Sequence, residues 1–392
     1  MSSFLTRFFG AGAPPRAPEA KASRAEALIA MQSLGAPRWT PRNNVALTRA
    51  GYERNAIVYR AVRMIAESAA SVPWIAREAG VENAAHPALS LLQRPAPQTS
   101  GSDLLESIYT SLLLFGDAYV ELVELDGTPR ELHLLRADRM SVVASANGWP
   151  VAYEYSVGGE KIRFDAARDG LSPILHLRLN NPLDDHYGFA PLAAAQAAID
   201  IHNAASGWNK ALLDNAARPS GALVFGGAGH LAQEQFDRLK AELEENFQGA
   251  RNAGRPLLLE GGLDWKPLSL TPRDMDFIQA KTIAAREIAL ALGVPPLVLG
   301  LPGDNTFSNY QEANRVFWRQ TVIPLVARTQ ASFAHWLSAG LGPFAFDYNA
   351  DRLDALAQDR ESEWRRIGAA DFLTRDEKRE AAGYAPRGAQ TP

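Results

Sequence analysis

The stretch TPRDMDFIQAKTIAAREIALALGVPPLVLGLPGDNTFSNYQEANRVFWRQTVIPLVARTQASFAHWLSAG, residues 271–340, decides how this chain is read. Thr271 can cap a helix, Pro272 suits the first helical position, and Asp274 lies near the positive helix end. Phe277, Ile278, Ile283, Ile288, Ala289 and Leu292 follow a helical pattern. Gly293-Val294-Pro295-Pro296 stops it, because two prolines cannot continue an α-helix. A Gly/Pro/Asn loop follows, Leu301-Pro302-Gly303-Asp304-Asn305-Thr306. A second helical pattern begins near Asn309 and runs to about Leu337. Inside it, Pro324 has no N–H for the carbonyl of Gln320, and its ring crowds that turn, which predicts a kink.

Working outward, residues 10–50 are rich in Ala, Pro, Gly and Arg and read as an arm, with a helix allowed over Ala22–Leu34. Order is expected from Asn55, where Val58, Val62, Ile65 and Ala69 build one apolar helix face. A second helix is predicted from about Asp103 to Phe115, with Ser102 as its cap. Between 118 and 178 the period falls to two, as in Val151, Tyr153, Tyr155 and Val157. Asp126-Gly127, Asn147-Gly148 and Gly158-Gly159 supply turns, so the segment reads as an antiparallel meander and not a βαβ nucleotide fold. Helix returns from Pro191 to about Asn215. A short strand over Ser220–Phe225 and an acidic helix over Leu231–Phe247 come next. Two short strands, Leu257–Leu259 and Leu263–Leu270, precede the opening stretch. Beyond it, Phe344–Asp347 reads as a strand, and Thr374-x-x-Glu377 is a capping box opening the last helix.

Composition bounds the chemistry. The 392 residues are 46% hydrophobic, enough for a large core and two or three domains. Lys plus Arg number 40 against 44 Asp plus Glu, a net charge of −4, which disfavours a tight grip on DNA phosphates. With no cysteine in the chain, disulfides, Cys-ligated zinc and thiol catalysis are excluded. A cytosolic site of synthesis fits. No membrane span or signal peptide is expected: the longest apolar run, Ile288 to Leu301, is short and broken by Gly293, Pro295 and Pro296.

No GxxxxGK[ST] loop, GxSxG elbow or HExxH pair occurs, and no cofactor is implied. Gly226-Gly227-Ala228-Gly229 lacks Rossmann spacing and reads as a turn. Asn180-Asn181-Pro182-Leu183-Asp184-Asp185-His186 has two readings. Asp184, Asp185 and His186 could hold a metal or act as an acid/base set on an α+β enzyme. Asn, Asp and Pro are also ordinary turn residues, and a polar loop before the helix at Pro191 is the simpler reading. Trp265, Trp318 and Trp336 read as core or interface anchors.

Several blocks resemble HK97-type phage portal proteins. They are Asn55–Val62 with Ile65–Pro73, His86-Pro87 with Leu91-Leu92 and Pro95, and Leu114-Phe-Gly-Asp-Ala-Tyr-Val120. Gly188-Phe-Ala-Pro-Leu192 follows, with Ala190 where the family usually has Ser. Further blocks are Asn252–Leu263, Glu287-Ile288, Gly293-Val-Pro-Pro296, Leu299-Gly300, Asn309, Glu312 and Leu373-Thr374-x-x-Glu377-x-Arg379. The resemblance spans about residues 52–386, and its style is similar to portals of prophages and alphaproteobacterial gene transfer agents.

The resemblance implies an α+β portal fold: a mixed α/β wing, helical stem, small clip, kinked tunnel helix and short helical crown. It would place a flexible N-terminal arm at 1–51, the wing at 52–230, a stem helix at 231–248 and the clip at 249–272. A second stem helix with its return to the wing would take 273–299. The tunnel loop would be 300–308, the kinked tunnel helix 309–340, and the crown and C-terminal tail 341–392. It implies a dodecameric ring at one vertex of a phage-like capsid, a head–tail connector conducting double-stranded DNA without sequence-specific binding during packaging and ejection. Its partners would be the major capsid protein, large terminase and head–tail adaptor. Gly303, Asp304, Asn305, Thr306 and Phe307 would form the tunnel loop, with Asp304–Phe307 nearest the DNA and Pro324 the kink. Arg251, Asn252, Arg255 and Trp265 would face terminase and adaptor. Glu242, Glu244 and Lys281 would face the pore. Charge within 273–338 is nearly balanced, with Arg273, Lys281, Arg286, Arg315, Arg319 and Arg328 against Asp274, Asp276, Glu287, Asp304 and Glu312. That balance suits salt bridges between subunits better than a DNA clamp. Another kind of virion connector, such as an adaptor, is the remaining alternative.

Overall fold

Two long helices with uninterrupted apolar faces seed the core. Asn55 caps the first, α2 (Ala56–Ala70), by accepting the Ile57 and Val58 N–H groups at 3.0 and 3.2 Å. Val58, Ala61, Val62, Ile65, Ala66 and Ala69 then bury one face. The second, α4 (Gly101–Phe115), starts two residues before its expected first turn. Its cap is Ser100 and not Ser102, because only Ser100 has an acid three residues on, and with Asp103 it closes a full capping box. The computed structural model describes residues 39–41, 43–166, 170–214, 221–225, 234, 237–238, 263–267, 275–303 and 306–384. Ahead of α2 lies α1 (Asn44–Ala50), capped by Asn43, and between α2 and α4 lies α3 (Pro87–Gln93). His86 caps α3 through Nδ1, and its Nε2 lies 3.3 Å from Glu78.

Among the described residues, four small antiparallel sheets lie around these helices. β1 (Trp74–Glu78) pairs with β2 (Val81–Glu82) on one edge. β3 (Asp117–Leu125) lies between β4 (Thr128–Leu135) and β8 (Ile174–Arg178). β5 (Met140–Ala144), β6 (Pro150–Val157) and β7 (Glu160–Asp165) form a meander. The 118–178 reading is therefore met. Asp126 and Gly127, and Gly158 and Gly159, all take positive φ, as two-residue hairpin turns require.

From Pro191 the helix is two pieces, α5 (Pro191–Ala194) and α6 (Gln196–Asp214), separated at Ala195. β9 (Gly221–Phe225) then pairs with β10 (Leu263–Pro267), Leu223 opposite Trp265. α7 (Met275–Ala291) returns alongside α6. α8 (Phe307–Phe317), a π-helical turn (Trp318–Val322) and α9 (Ile323–Leu341) follow without a break. α9 is the central helix: Val326, Thr329, Gln330, Phe333, Ala334, Trp336 and Leu337 are all buried in it.

Two placements bear on the sequence-based boundaries. Residues 341–392 were expected to lie outside the wing. Yet β11 (Ala345–Tyr348) inserts beside β1, with Trp74 opposite Tyr348. Trp74 packs on both Phe333 and Phe346, which draws the strand back. Helices α10 (Ala357–Gly368) and α11 (Arg375–Ala381) close the chain, the latter on the expected Thr374–Glu377 capping box. Beside α7 lies α6; residues 231–247, expected as a stem helix, lie outside the described residues apart from 234, 237 and 238.

Candidate functional site

The α7–turn–α8–α9 hairpin is built by local chemistry at each joint. α7 ends in a Schellman arrangement: Val294 N–H bonds the Ala289 carbonyl and Gly293 N–H the Leu290 carbonyl, at 2.9 and 3.0 Å. Gly293 takes φ +70°, which favours glycine. The Pro295-Pro296 turn then closes with Val298 N–H on Pro295 O and Leu301 N–H on Pro296 O. Two side chains lash the turn to its neighbours. Thr321 Oγ1 donates to the Gly293 carbonyl at 2.5 Å, and Arg286 Nη2 donates to the Pro302 carbonyl, also at 2.5 Å. The entry of the turn is thus tied to the π turn and its exit to α7.

Thr306 accepts the Asn309 N–H and caps α8, so the helix starts at Phe307, two residues before the expected 309. Ser308 to Glu312 are exposed, and burial returns only toward Phe317. At Pro324 the structure places a specific device. The Ile323 N–H reaches the Trp318 carbonyl, one residue further back than in an α-helix, giving a π turn just ahead of the proline. A π turn admits an extra residue where the ladder must skip a donor.

The expected site residues separate as follows. Gly303 is exposed at the end of the turn, and Thr306 and Phe307 open α8. Trp265 sits in β10. Lys281 is half-buried on α7, near enough to His202 of α6 that its charge, with burial, holds the imidazole below its ordinary value of 6.5; burial is the larger cause. Asp304, Asn305, Arg251, Asn252, Arg255, Glu242 and Glu244 lie outside the described residues. The charge balance of 273–338 is partly satisfied inside the chain: Arg315 bonds Glu312, and also reaches Asp359 of α10 at 3.4 Å.

The Asp184-Asp185-His186 loop is a turn. Asp184 Oδ1 accepts the His186 and Tyr187 N–H groups at 2.8 and 3.0 Å, and these two bonds hold its carboxyl below the usual range. Arg178 bonds the Asp185 carbonyl. Among the described residues, no group of three His, Asp or Glu side chains is placed to hold a metal.

Sequence reasoning missed how the blocks converge. Gly188 N–H and His176 Nε2 both bond Asp117 Oδ1 at 2.8 Å, buried beneath Tyr119, which stacks on His176. The backbones of Gly116 and Gly188 touch, so that a Cβ on Gly188 would lie 2.0 Å from the Gly116 oxygen. The Leu114–Val120 and Gly188–Leu192 blocks are therefore one unit, joining β3 to the start of α5. Asn55 Nδ2 likewise donates to Asn203 Oδ1 at 2.9 Å and lies 3.1 Å from His202 Nδ1, tying α2 to α6.

Residues 56–383 match the family model for the phage portal protein. Two solved structures are similar over 90% of this chain. The neck of an empty gene transfer agent (GTA) particle computed with sixfold symmetry is 52% identical, with 96% of that chain covered and a TM-score of 0.72. The neck of the native particle computed with twelvefold symmetry is 51% identical, with 97% of that chain covered and a TM-score of 0.69. The portal protein of Enterobacteria phage HK97 is 24% identical over 268 residues, 66% of this chain and 60% of that protein.

Proposed function

The chain belongs to the phage portal protein family, and from that premise we propose that twelve copies form the ring through which double-stranded DNA enters and leaves a phage-like particle. A portal connector in such a particle is its function. The carrying observation is its likeness over nine-tenths of its length to chains in gene transfer agent necks. The ring would sit at the portal vertex, assembled in the bacterial cytoplasm, and would contact the major capsid protein, large terminase and head–tail adaptor. The work is mechanical: placing a passage, not transforming a substrate.

Within that reading, α6 and α7 are the stem, and residues 215–274 between them, including the β9–β10 ribbon, form the clip. The packing of α6 along α7 supports taking these two as the stem, whereas residues 231–248, expected there from the sequence, lie outside the described residues apart from 234, 237 and 238. Arg251, Asn252, Arg255 and Trp265 remain the clip residues proposed to meet terminase and adaptor. Glu242, Glu244 and Lys281 remain those proposed to line the passage. Gly303–Phe307, between α7 and α8 in the chain, is the loop proposed to lie nearest the passing DNA. A net charge of −4 lets DNA pass without being held.

Excising Gly303–Asn305 keeps the Thr306 cap and tests the passage. Rings should assemble as before, while the yield of DNA-filled particles falls. A full yield of filled particles would refute the role given to this loop.

A further inference from the structure

The end of the chain stands on the body by charge and not by a core. Leu353 and Leu356 are buried, but from Ala357 to Tyr384 none of the described residues is. Arg360 gathers this tail. It bonds Asp351 and Glu363, each at 2.7 Å, and the Ala382 carbonyl at 3.1 Å, and it lies over the Trp364 ring. Tyr384 closes the tail by donating to Asp351. Asp359, one residue before Arg360, reaches α8 and the π turn instead. Its Oδ1 lies 3.4 Å from Arg315 Nη1 and its Oδ2 3.9 Å from Arg319 Nε. Glu312 takes the other terminal nitrogen of Arg315. Ser308, Glu312, Arg315 and Arg319 follow at steps of four, three and four and share one helix face. That face begins one residue after Phe307, the end of the loop proposed to lie nearest the DNA.

We propose that Arg315 and Arg319 form a masked site for the phosphates of a DNA backbone, and that Asp359 fills it as an internal stand-in. The identity of the ligand rests on the portal reading. A guanidinium donates to carboxylate and to phosphate oxygens through the same fork, so one anion can replace the other. Asp359 reaches both arginines, which is the place a single phosphate would take. With Glu312 and Asp359 both present, the charges of this face cancel. With Asp359 withdrawn, each copy shows a net positive face, repeated around the ring. Withdrawal needs no loss of core, because no described residue beyond Leu356 is buried up to Tyr384. Arg315, Arg319 and Asp359 are also all partly open to water, where such pairs are weak. The α10–α11 tail is thus a clasp. Closed, it lets DNA slide; open, it leaves two arginines per copy to hold the backbone.

The test is binding of a short labelled DNA duplex at low salt, read by fluorescence anisotropy on the full chain. Asp359→Asn should bind at least about threefold tighter than the unaltered protein, with a steeper loss of affinity as salt rises. Glu361→Gln removes a charge from the same helix, but its partner is Arg365 and not α8, so it should bind as the unaltered protein does. Adding Arg315→Ala and Arg319→Ala to Asp359→Asn should abolish the gain. Equal affinities of Asp359→Asn and Glu361→Gln would overturn the proposal, as would a gain that survives loss of both arginines. A second measurement needs no variant. Saturating duplex on the unaltered protein should quicken amide exchange across 357–384, because phosphates displace Asp359, while the amides of α9 stay slow. Unchanged exchange with DNA bound would also overturn the proposal. Failure of the unaltered chain to form rings by mass photometry would instead remove the portal reading, and the duplex comparison would still decide whether Asp359 screens the two arginines.

Discussion

Gly188 and Gly116 approach too closely for any side chain, and this gives the sharpest residue-level expectation. Gly188→Ala would force a methyl group onto the Gly116 carbonyl and should cost about 1–3 kcal/mol or more, read as a lower urea midpoint. Gly207→Ala is the control with opposite sign. It lies inside α6 with open space around it, so it should be neutral or stabilise by up to about 1 kcal/mol. His202 gives a pH dependence. Its folded value lies below the ordinary 6.5, from burial first and Lys281 second. On acidification below 6.5 the unfolded chain takes up the proton before the folded one does, so stability is full above that pH and falls beneath it. Urea midpoints at pH 7.5 and 5.5 should differ more for the unaltered chain than for His202→Gln. Equal differences would show that His202 is not the group responsible. The blocks holding Gly116 and Gly188 were both visible in the sequence, but their meeting was not, because a contact between backbones 72 positions apart leaves no local pattern.

The joints between helices decide how well the elements could be foreseen. Where a cap and its acid stand three residues apart, the start was legible, as at Thr374 and Glu377. At Ser100-Gly101-Ser102-Asp103 two serines competed, and only the reach of Asp103 back to the Ser100 N–H settled it. Just ahead of Pro324, where a kink was expected, the helix makes a π turn, and Thr321 within it donates to the Gly293 carbonyl across the hairpin. Thr321→Val keeps the shape and removes that bond. It should cost about 1 kcal/mol and quicken amide exchange at Val294 and Val298 without slowing assembly. Unchanged exchange in those amides would mean that the proline turn holds itself without Thr321.

Across the whole molecule, the α+β class, the meander and the helix–turn–helix hairpin were readable from period and punctuation. The pairing of elements was not. Residues 231–247, expected as an acidic helix, lie outside the described residues apart from 234, 237 and 238, and among the described elements α6, in contact with α1 as well, lies beside α7. β11 pairs with β1, more than 260 residues earlier, and Trp74 packs on Phe346 across that pairing, a contact with no local sequence pattern. The α6–α7 pair and the turn lashed at both ends are the described features on which the proposed ring reading rests. The direct test is the mass of the purified, unaltered chain in solution by mass photometry, with rotational averages of the same sample in negative stain. A closed ring near twelve times the 42.6 kDa chain mass, with twelvefold symmetry, is the predicted result. A species that stays at 42.6 kDa over the whole concentration range, even with capsid protein present, would contradict it.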